Sequence, residues 1–436
     1  MKDNLLFIFK IIVVLTITGL VGFAMLCFVY IIPTDIIVKH LSGTMIFAKE
    51  TEQYEYAAGY KGAILDNTTD AIMLGEAAYC SGNIFEDASV TPRISYEDSE
   101  PVFSLLGVVN RDSERAFSIV HYSRYWHGYL IILKPFLYFF DYADLRMFNL
   151  AGTLLLSFAI ILSLYRSEIY KRYTLAIIVM LVFWNIYSIG MCLQYSSCFY
   201  ISIISTLVLI SRSEDFSANA CRKYIFFLFI GMVTSYFDFL TYPIVTLGLP
   251  LTVYVLYNKS KSNIKNIREC LEELIDVIKT TIIWSIGYLG YWLEKWIIGS
   301  VFSAENVLKD AYENIMLRTG TEVGGDATNQ ISRLEIIAYL LRVSFGKWLY
   351  VFMFGAVFMC LIYRWWQKRN ELAQTRFAQL ILNRIVLLFI GLYPVFWYFM
   401  AANHSYVHPR IVYRALGLMI FAWISMFLVP VNVKKG

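Results

Sequence analysis

The chain has 436 residues, of which 58% are hydrophobic and only 16% are charged. Soluble domains carry about 25% charged and about 45–50% apolar residues, so this balance excludes an ordinary water-soluble enzyme. The formal net charge of +4 is small, and no basic run interleaved with aromatic residues indicates nucleic-acid binding. The composition therefore predicts a membrane protein, and its 32 Tyr and 32 Phe suit a bundle with many interfacial anchors.

Apolar blocks of helical length recur along the chain and predict about ten membrane-spanning helices, since a helix needs about 20 residues to cross the hydrocarbon core. The blocks cover residues 7–32, 143–165, 173–191, 198–211, 223–241, 243–258, 277–299, 343–363, 384–402 and 412–430. The first block is too long for a signal-peptide core and lacks a small-x-small cleavage site, so we expect a retained anchor. The stretch from Tyr129 to Tyr142 is shorter and contains Lys134-Pro135, which indicates an interfacial helix.

Basic residues orient this predicted bundle. With ten spans and a cytoplasmic N-terminus, the basic connections all lie inside, as the positive-inside rule requires. They are 166–172, 212–223, 259–268, 364–376 and the C-terminal pair Lys434 and Lys435. Counting the short stretch as a span would move several of them outside. We therefore expect an all-α, polytopic helix bundle in the plasma membrane, with both termini in the cytoplasm.

This topology divides the chain into five segments. They are a first transmembrane helix (1–33), a first outer loop (34–142), transmembrane helices 2–7 (143–299), a second outer loop (300–342) and transmembrane helices 8–10 (343–436). In the first outer loop, the apolar-periodic patches Thr69 to Tyr79 and Val102 to Val109 predict amphipathic juxtamembrane helices. The second outer loop, with Gly320, Gly324, Gly325 and Asp326, is typical of either a lid over a site or a disordered connector.

Acidic residues in the predicted outer segments are candidates for catalysis. Asp66 and Asp70 lie four residues apart in LDNTTDAIMLG. The alternative for Asp70 is a position in the first turn of a helix, where a carboxylate suits the helix dipole, and for Asp66 an ordinary loop position. Asp238 in SYFDFLTYP is a further candidate, with an exposed helix-end acid as its alternative. Asp35 competes with these acids, although it suits a helix cap equally well.

Two further motifs concentrate basic and imidazole side chains at the same predicted face. HYSRYWHGYL holds His121, Arg124 and His127, for which interfacial anchoring is the alternative. ANHSYVHPRIVYR follows between the last two predicted spans, and its ionisable residues are His404, His408, Arg410 and Arg414.

Arg414 falls within the predicted last span, where an arginine at mid-helix costs about 2.5–3.5 kcal/mol, so it is a functional candidate unless it snorkels to the interface. The spacing of His404 and His408 also allows a metal site. However, Pro409 breaks the helix and no HExxH pattern is present. Phosphate binding is favoured, because guanidinium groups match phosphate oxygens.

The cysteines and acids give little indication of a cofactor. The seven Cys include no CxxC pair, so neither a zinc nor a redox site is expected. Cys192 and Cys198 flank a predicted turn and are candidates for a disulfide, with small buried side chains as the alternative. No cofactor is expected, and assistance by a divalent cation is left open, since the acids are too dispersed to define a cation site.

Carboxylates together with Arg and His at a lipid–water boundary suit the transfer of a group from a lipid phosphate. A carboxylate takes the proton of an acceptor hydroxyl, while Arg or His holds the leaving phosphate. Because no nucleotide-binding glycine-rich loop is present, we expect a membrane-borne donor.

The layout resembles the GT-C superfamily of membrane glycosyltransferases, which use polyprenyl-phosphate sugars. LDNTTDAIMLG, RYWHGYL and NHSYVHPRIVYR also look similar to motifs of uncharacterised bacterial membrane proteins associated with surface polysaccharides. The resemblance implies that Asp66 or Asp70 is the acid of the first outer loop and that Arg410 and Arg414 hold the phosphate. Many members carry adjacent acids in that loop, whereas NTT separates these two.

We therefore expect an inverting glycosyltransferase that moves a sugar from a polyprenyl-phosphate donor to a cell-surface glycan or a lipid-linked acceptor on the extracytoplasmic face. The predicted catalytic residues are Asp66 and Asp70, and no metal ligand is predicted. The predicted substrate- and phosphate-binding residues are Arg124, His127, Asp238, His404, His408, Arg410 and Arg414. Two alternatives stay open: a flippase or transporter for lipid-linked saccharides, and a polysaccharide polymerase or ligase.

Overall fold

The fold is seen in a computed structural model. It describes residues 2–42, 46–57, 60–97, 99–112, 114–322, 330–345 and 377–430, together with the short pieces 354–355, 358–359, 361–363 and 366. The protein is mostly helical. Four helices are long and apolar enough to cross a membrane by length and composition: Phe9–Val29, Tyr142–Arg166, Leu193–Ser211 and Pro409–Leu428.

The segment 34–142 is folded rather than linker-like. Its helices are α2 (Thr34–Ser42), α3 (Ile46–Lys49), α4 (Asn67–Ala77), α5 (Ile84–Val90), α6 (Pro101–Val109) and α7 (Leu130–Phe139), and they follow α1 (Lys2–Val29). The amphipathic α2 buries Ile37 and Leu41, while Asp35 in its first turn is exposed and lies 3.7 Å from Arg111. The two predicted patches of this segment correspond to α4 and α6.

Two small antiparallel sheets accompany the predominantly helical fold. Strand β1 (Gln53–Glu55) pairs with β2 (Ile64–Asp66), and β3 (Arg93–Tyr96) pairs with β4 (Phe117–Val120). In the first sheet Gln53 lies opposite Asp66, so the hairpin fixes where Asp66 leaves the strand and α4 begins.

The remaining chain forms a further series of helices, several of which overlap the predicted apolar blocks. They are α8 (Tyr142–Arg166), α9 (Thr174–Trp184), α10 (Ile186–Met191), α11 (Leu193–Ser211), α12 (Ser213–Ala218), α13 (Ala220–Phe237), α14 (Ile244–Lys261), α15 (Ile267–Phe302), α16 (Val307–Thr319), α17 (Arg333–Phe345), α18 (Phe377–Leu382), α19 (Ile385–Gly391), α20 (Tyr393–Met400), α21 (Ala402–Val407), α22 (Pro409–Val412) and α23 (Leu416–Leu428). The block 173–191 is broken where Asn185 takes a left-handed φ of 56° between α9 and α10. Most of the predicted span 343–363 lies outside the described residues.

Close helix packing assembles the bundle. At the crossing of α13 and α15, a Cβ on Gly231 would collide with the backbone of Trp284, and one on Gly287 with the backbone of Leu228. Small residues of this kind let helix backbones approach closely within a membrane. Helix α23 is almost entirely buried and packs against α9, α14 and α19.

Two sequence-based predictions about the connections have different outcomes. Cys192 and Cys198 are free thiols, so the disulfide alternative is wrong and both behave as small buried side chains. The segment 300–342 contains the helices α16 and α17, while the glycines Gly324 and Gly325 and Asp326 of the predicted lid lie outside the described residues.

Candidate functional site

Asp66 stands at the junction of β2 and α4. As the N-cap of α4, its carboxylate accepts hydrogen bonds from the backbone N–H of Thr69 at 3.3 Å and from the Thr69 hydroxyl at 3.0 Å. The side chain is buried, and its Oδ1 lies 3.7 Å from Nη2 of Arg410. A capping carboxylate is thus held rigidly beside a guanidinium group that comes from the far end of the chain.

Arg414 lies one turn beyond Arg410 and is fully buried. Its guanidinium lies over the Tyr195 ring at 3.9 Å, and it donates to the backbone carbonyls of Arg410 and Trp184. Within the described part of the chain, Nη2 of Arg414 and Nε of Arg410 have no hydrogen-bond partner. Buried guanidinium donors without acceptors are costly, so this pair is suited to an anion.

His404 and His408 continue the same cluster, with ring centroids 4.9 Å apart. Nε2 of His404 lies 2.6 Å from the Leu240 carbonyl, and Nδ1 of both rings lacks a partner among the described residues. Burial lowers the pKa of His404, assisted by His408 and Arg318. Burial also lowers the pKa of His408 to about 4, with Arg318 and Arg410 adding to the shift. Both rings are therefore neutral at pH 7 and serve as hydrogen-bonding groups.

Asp238 ends α13 and is buried next to this cluster. It accepts hydrogen bonds from the backbone N–H and the hydroxyl of Thr241. These bonds fix a turn in which Leu240 adopts a φ of 65° and presents its carbonyl to His404. Asp238 thus shapes the turn that holds His404, rather than being the exposed helix-end acid of the alternative interpretation.

Asp70, the second predicted catalytic acid, is surrounded by donors. Its carboxylate accepts hydrogen bonds from the Tyr142 hydroxyl at 2.6 Å and from the backbone N–H groups of Leu193 and Gln194, at 3.1 and 3.3 Å. Those two amides open α11, whose own N-cap residue provides no side-chain cap. Burial raises the pKa of the Asp70 carboxyl. Asp70 therefore acts as a helix cap supplied from another part of the chain, and its oxygens have little capacity left for a substrate.

Arg146 extends the hydrogen-bond network of Asp70 to further residues. Its guanidinium bonds the Tyr142 hydroxyl at 3.0 Å, Oδ1 of Asn67 at 2.6 Å and Oε2 of Glu50 at 2.8 Å. The network ties α4 to α8, which positions Asp66 four residues earlier.

His127 lies apart from the arginine cluster. Its ring is buried between the Tyr122 carbonyl, at 2.7 Å, and Glu76, whose Oε2 lies 3.2 Å from Nδ1. The Tyr129 hydroxyl also donates to Glu76. The structure therefore gives His127 a buried carboxylate partner and does not bring it to Asp66. Glu76 was missed from the sequence, although an acid within the apolar patch Thr69 to Tyr79 was a signal.

Arg124 reaches towards the segment 300–342. It forms an ion pair with Asp310 at 3.1 Å and lies over the Tyr122 ring. Next to it, His121 contacts Glu305 at 2.6 Å. Arg124 thus has an acidic partner. Arg318 on α16 has none within the described ranges, and its Nη1 lies 3.4 Å from Nε2 of His408. Arg318 was not predicted, because the mixed polarity of α16 gives no indication of which side faces the protein.

An apolar cavity of about 650 Å³ lies between α7, α8, α11 and α13. Along α11 it extends from Leu193, beside Asp70, to Val208, a helical distance of about 22 Å at about 1.5 Å per residue. Its wall is made of side chains such as Phe136, Ile201 and Phe229, with few polar groups. Phe237, which immediately precedes Asp238 in the sequence, is among the lining residues.

Metal ligands do not gather in the described part of the chain. No group of three or more His, Cys, Asp or Glu side chains is placed there to hold an ion. The structure thus brings Asp66, Asp238, His404, His408, Arg410 and Arg414 into one region, and it leaves Asp70, His127 and Arg124 in separate contacts. No protein-family description, curated protein or solved structure matches this chain.

Proposed function

We propose that this chain is a membrane glycosyltransferase that moves a sugar from a polyprenyl-phosphate donor to a cell-surface glycan or a lipid-linked acceptor. The observation that carries the proposal is the position of the Asp66 carboxylate, 3.7 Å from the Arg410 guanidinium. A carboxylate in this position is suited to act as a base beside a group able to hold a phosphate.

The basic side of the cluster suits a phosphate monoester or diester. Arg410 and Arg414 retain donors without partners among the described residues, and the neutral rings of His404 and His408 supply further unpaired nitrogens. Charge-assisted bonds from guanidinium to phosphate are among the strongest hydrogen bonds in proteins. A phosphate bound here would satisfy groups that the chain otherwise buries without acceptors.

Asp66 is the better candidate for the base. Asp70 is occupied by three donors, whereas among the described residues Asp66 receives hydrogen bonds from a single one, Thr69. In the proposed reaction Asp66 takes the proton of the acceptor hydroxyl, and that oxygen bonds to the anomeric carbon. The bond between the anomeric carbon and the phosphate oxygen breaks, and its electron pair leaves on the phosphate, which Arg410 stabilises.

The cavity between α7, α8, α11 and α13 supports a donor that resides in the membrane. It is apolar and about 22 Å long beside α11. A cavity of this length and polarity suits the hydrocarbon chain of such a donor. We further propose the ten-span topology with cytoplasmic termini, which would put this cluster on the extracytoplasmic face.

Membranes from cells that produce the protein test this function. We expect mass spectrometry to show consumption of polyprenyl-phosphate sugars and release of the free polyprenyl phosphate. Asp66→Asn should abolish this turnover while the protein level stays unchanged. Asp35→Asn, a change at an exposed acid in the same segment, is the matched control.

Three results would contradict the proposal. Full turnover by Asp66→Asn would exclude Asp66 as the base. Movement of a lipid-linked saccharide across vesicles without any product would indicate a flippase instead. Consumption of diphosphate-linked oligosaccharides alone would indicate a polymerase or ligase.

A further inference from the structure

Helix α16, together with the residues just before it in the segment 300–342, contacts residues of the segment 34–142. It packs against α15 and α21, and α21 carries His404. Its residues come from the segment 300–342, whose function the sequence left open between a lid and a connector. Within the described part of this segment, α16 is held by contacts at both of its ends.

Polar contacts hold the N-terminal end of α16. Glu305, just before the helix, accepts hydrogen bonds from His121 at 2.6 Å and Ser123 at 2.9 Å. Asp310 in the first turn forms the ion pair with Arg124. Three side chains of the HYSRYWHGYL motif therefore fix the start of this helix.

Backbone contacts hold its C-terminal end. The Gly320 carbonyl accepts a hydrogen bond from the N–H of Asn403 at 3.0 Å, and the Thr319 carbonyl accepts one from Arg333 at 2.8 Å. Because Asn403 directly precedes His404, the last turn of α16 is fixed relative to the arginine cluster. That last turn carries Arg318.

Among the residues that the structure describes, Arg318 has no acidic partner, whereas its neighbour Arg124 has one. Its nearest polar contact is Nε2 of His408 at 3.4 Å, a ring that is neutral at pH 7. Across the described residues no carboxylate lies within ion-pair distance of Arg318, whereas Arg124 is paired with Asp310. Its positive charge therefore adds to those of Arg410 and Arg414, and like charges in one cluster are stabilised when an anion binds between them.

We propose that Arg318 is a third phosphate-contacting arginine, brought to the Arg410 and Arg414 site by α16, and that the site takes the phosphate of a prenyl phosphate. The inference rests on the proposed function and assigns a substrate contact to the segment 300–342. The alternative is a purely structural role, in which Arg318 only complements the helix dipole in the last turn of α16.

Binding of farnesyl phosphate to the full-length protein in lipid nanodiscs tests this assignment. We expect Arg318→Gln to weaken binding about tenfold, the loss typical of one or two charge-assisted hydrogen bonds. Arg318→Lys should recover part of the affinity, because lysine keeps the charge but lacks the planar fork. Lys309→Gln removes the same charge from an exposed position on α16 and should bind as the wild type does.

The outcomes separate this inference from the proposed function. Wild-type affinity in Arg318→Gln, together with a loss in Arg410→Gln, would overturn the role of Arg318 and leave the proposed site standing. Failure of the wild type to bind farnesyl phosphate would overturn both. If Arg318→Gln does not fold, wild-type affinity in a folded Arg318→Lys would contradict a forked phosphate contact. A lower unfolding temperature without any change in affinity would assign Arg318 to the helix end alone.

Discussion

Replacing Asp70 by Asn is expected to destabilise the fold severely. The carboxylate accepts bonds from Tyr142, Leu193 and Gln194, and hydrogen bonds to a charged group contribute about 1.5–3 kcal/mol each. An Asn side chain keeps one acceptor oxygen and turns an NH2 group towards donors on the other side. The nearby Arg146 also loses a counter-charge. We expect a loss of about 3–5 kcal/mol, typical of breaking a buried charged network.

The same change at Asp66 should leave the fold nearly intact. Asp66 caps α4 through the N–H of Thr69, and Asn is about as good a cap as Asp. We therefore expect a loss below about 1 kcal/mol, although the charge beside Arg410 disappears. Asp70→Asn should thus lower the stability of the fold, whereas Asp66→Asn should abolish the proposed turnover with little change in stability.

Thermal unfolding of the purified protein in detergent, followed by size-exclusion chromatography, measures the contrast. Asp70→Asn should unfold several degrees below the wild type, while Asp66→Asn and the exposed control Asp35→Asn should not. An unchanged unfolding temperature for Asp70→Asn would refute its role as the cap of α11. An equally large fall for Asp66→Asn would show that its main role is structural.

Three further predictions concern pH, helix packing and the apolar cavity. Burial lowers the pKa of His408 from its ordinary value of 6.5 to about 4. Between those values the unfolded chain binds a proton that the folded chain does not, so the free energy of unfolding should fall as the pH drops from 6.5 to 4, and His408→Gln should show a smaller fall in unfolding temperature. Gly287→Val should destabilise the α13–α15 crossing by about 1–3 kcal/mol or more. In the same unfolding assay Gly290→Val should be tolerated, because a Cβ on Gly290 would meet only the Leu15 side chain, at 3.2 Å. Ser197→Trp should obstruct the cavity and weaken farnesyl phosphate binding about tenfold. Unchanged binding would show that the hydrocarbon chain of the ligand lies elsewhere.

The helices could be predicted from the sequence because long apolar blocks leave few other structures available. The small sheets could not, since strands of three residues such as Gln53–Glu55 are too short to show a two-residue period. The helix break at Asn185, within an apolar block, could likewise not be predicted from the sequence pattern. These features depend on local turns rather than on hydrophobic pattern.

Part of the candidate site could also be predicted from the sequence. Arg414 was identified because an arginine within an apolar block is costly, and the structure buries it beside Arg410. The separate role of Asp70 depends on the amide of Leu193, and that of His127 depends on Glu76. No spacing rule reveals such partners, because they meet only when distant segments pack together.

The pairing of Asp66 with Arg410 has a consequence for the order of biosynthesis. The acid is made early, and its basic partner emerges from the ribosome only when nearly the whole chain has been synthesised. Until α22 and α23 insert, the buried carboxylate lacks this counter-charge. A product that stops before residue 409 would thus lack every arginine of the last motif. Such fragments should be inert, and adding the missing C-terminal piece as a separate chain is the natural way to restore them.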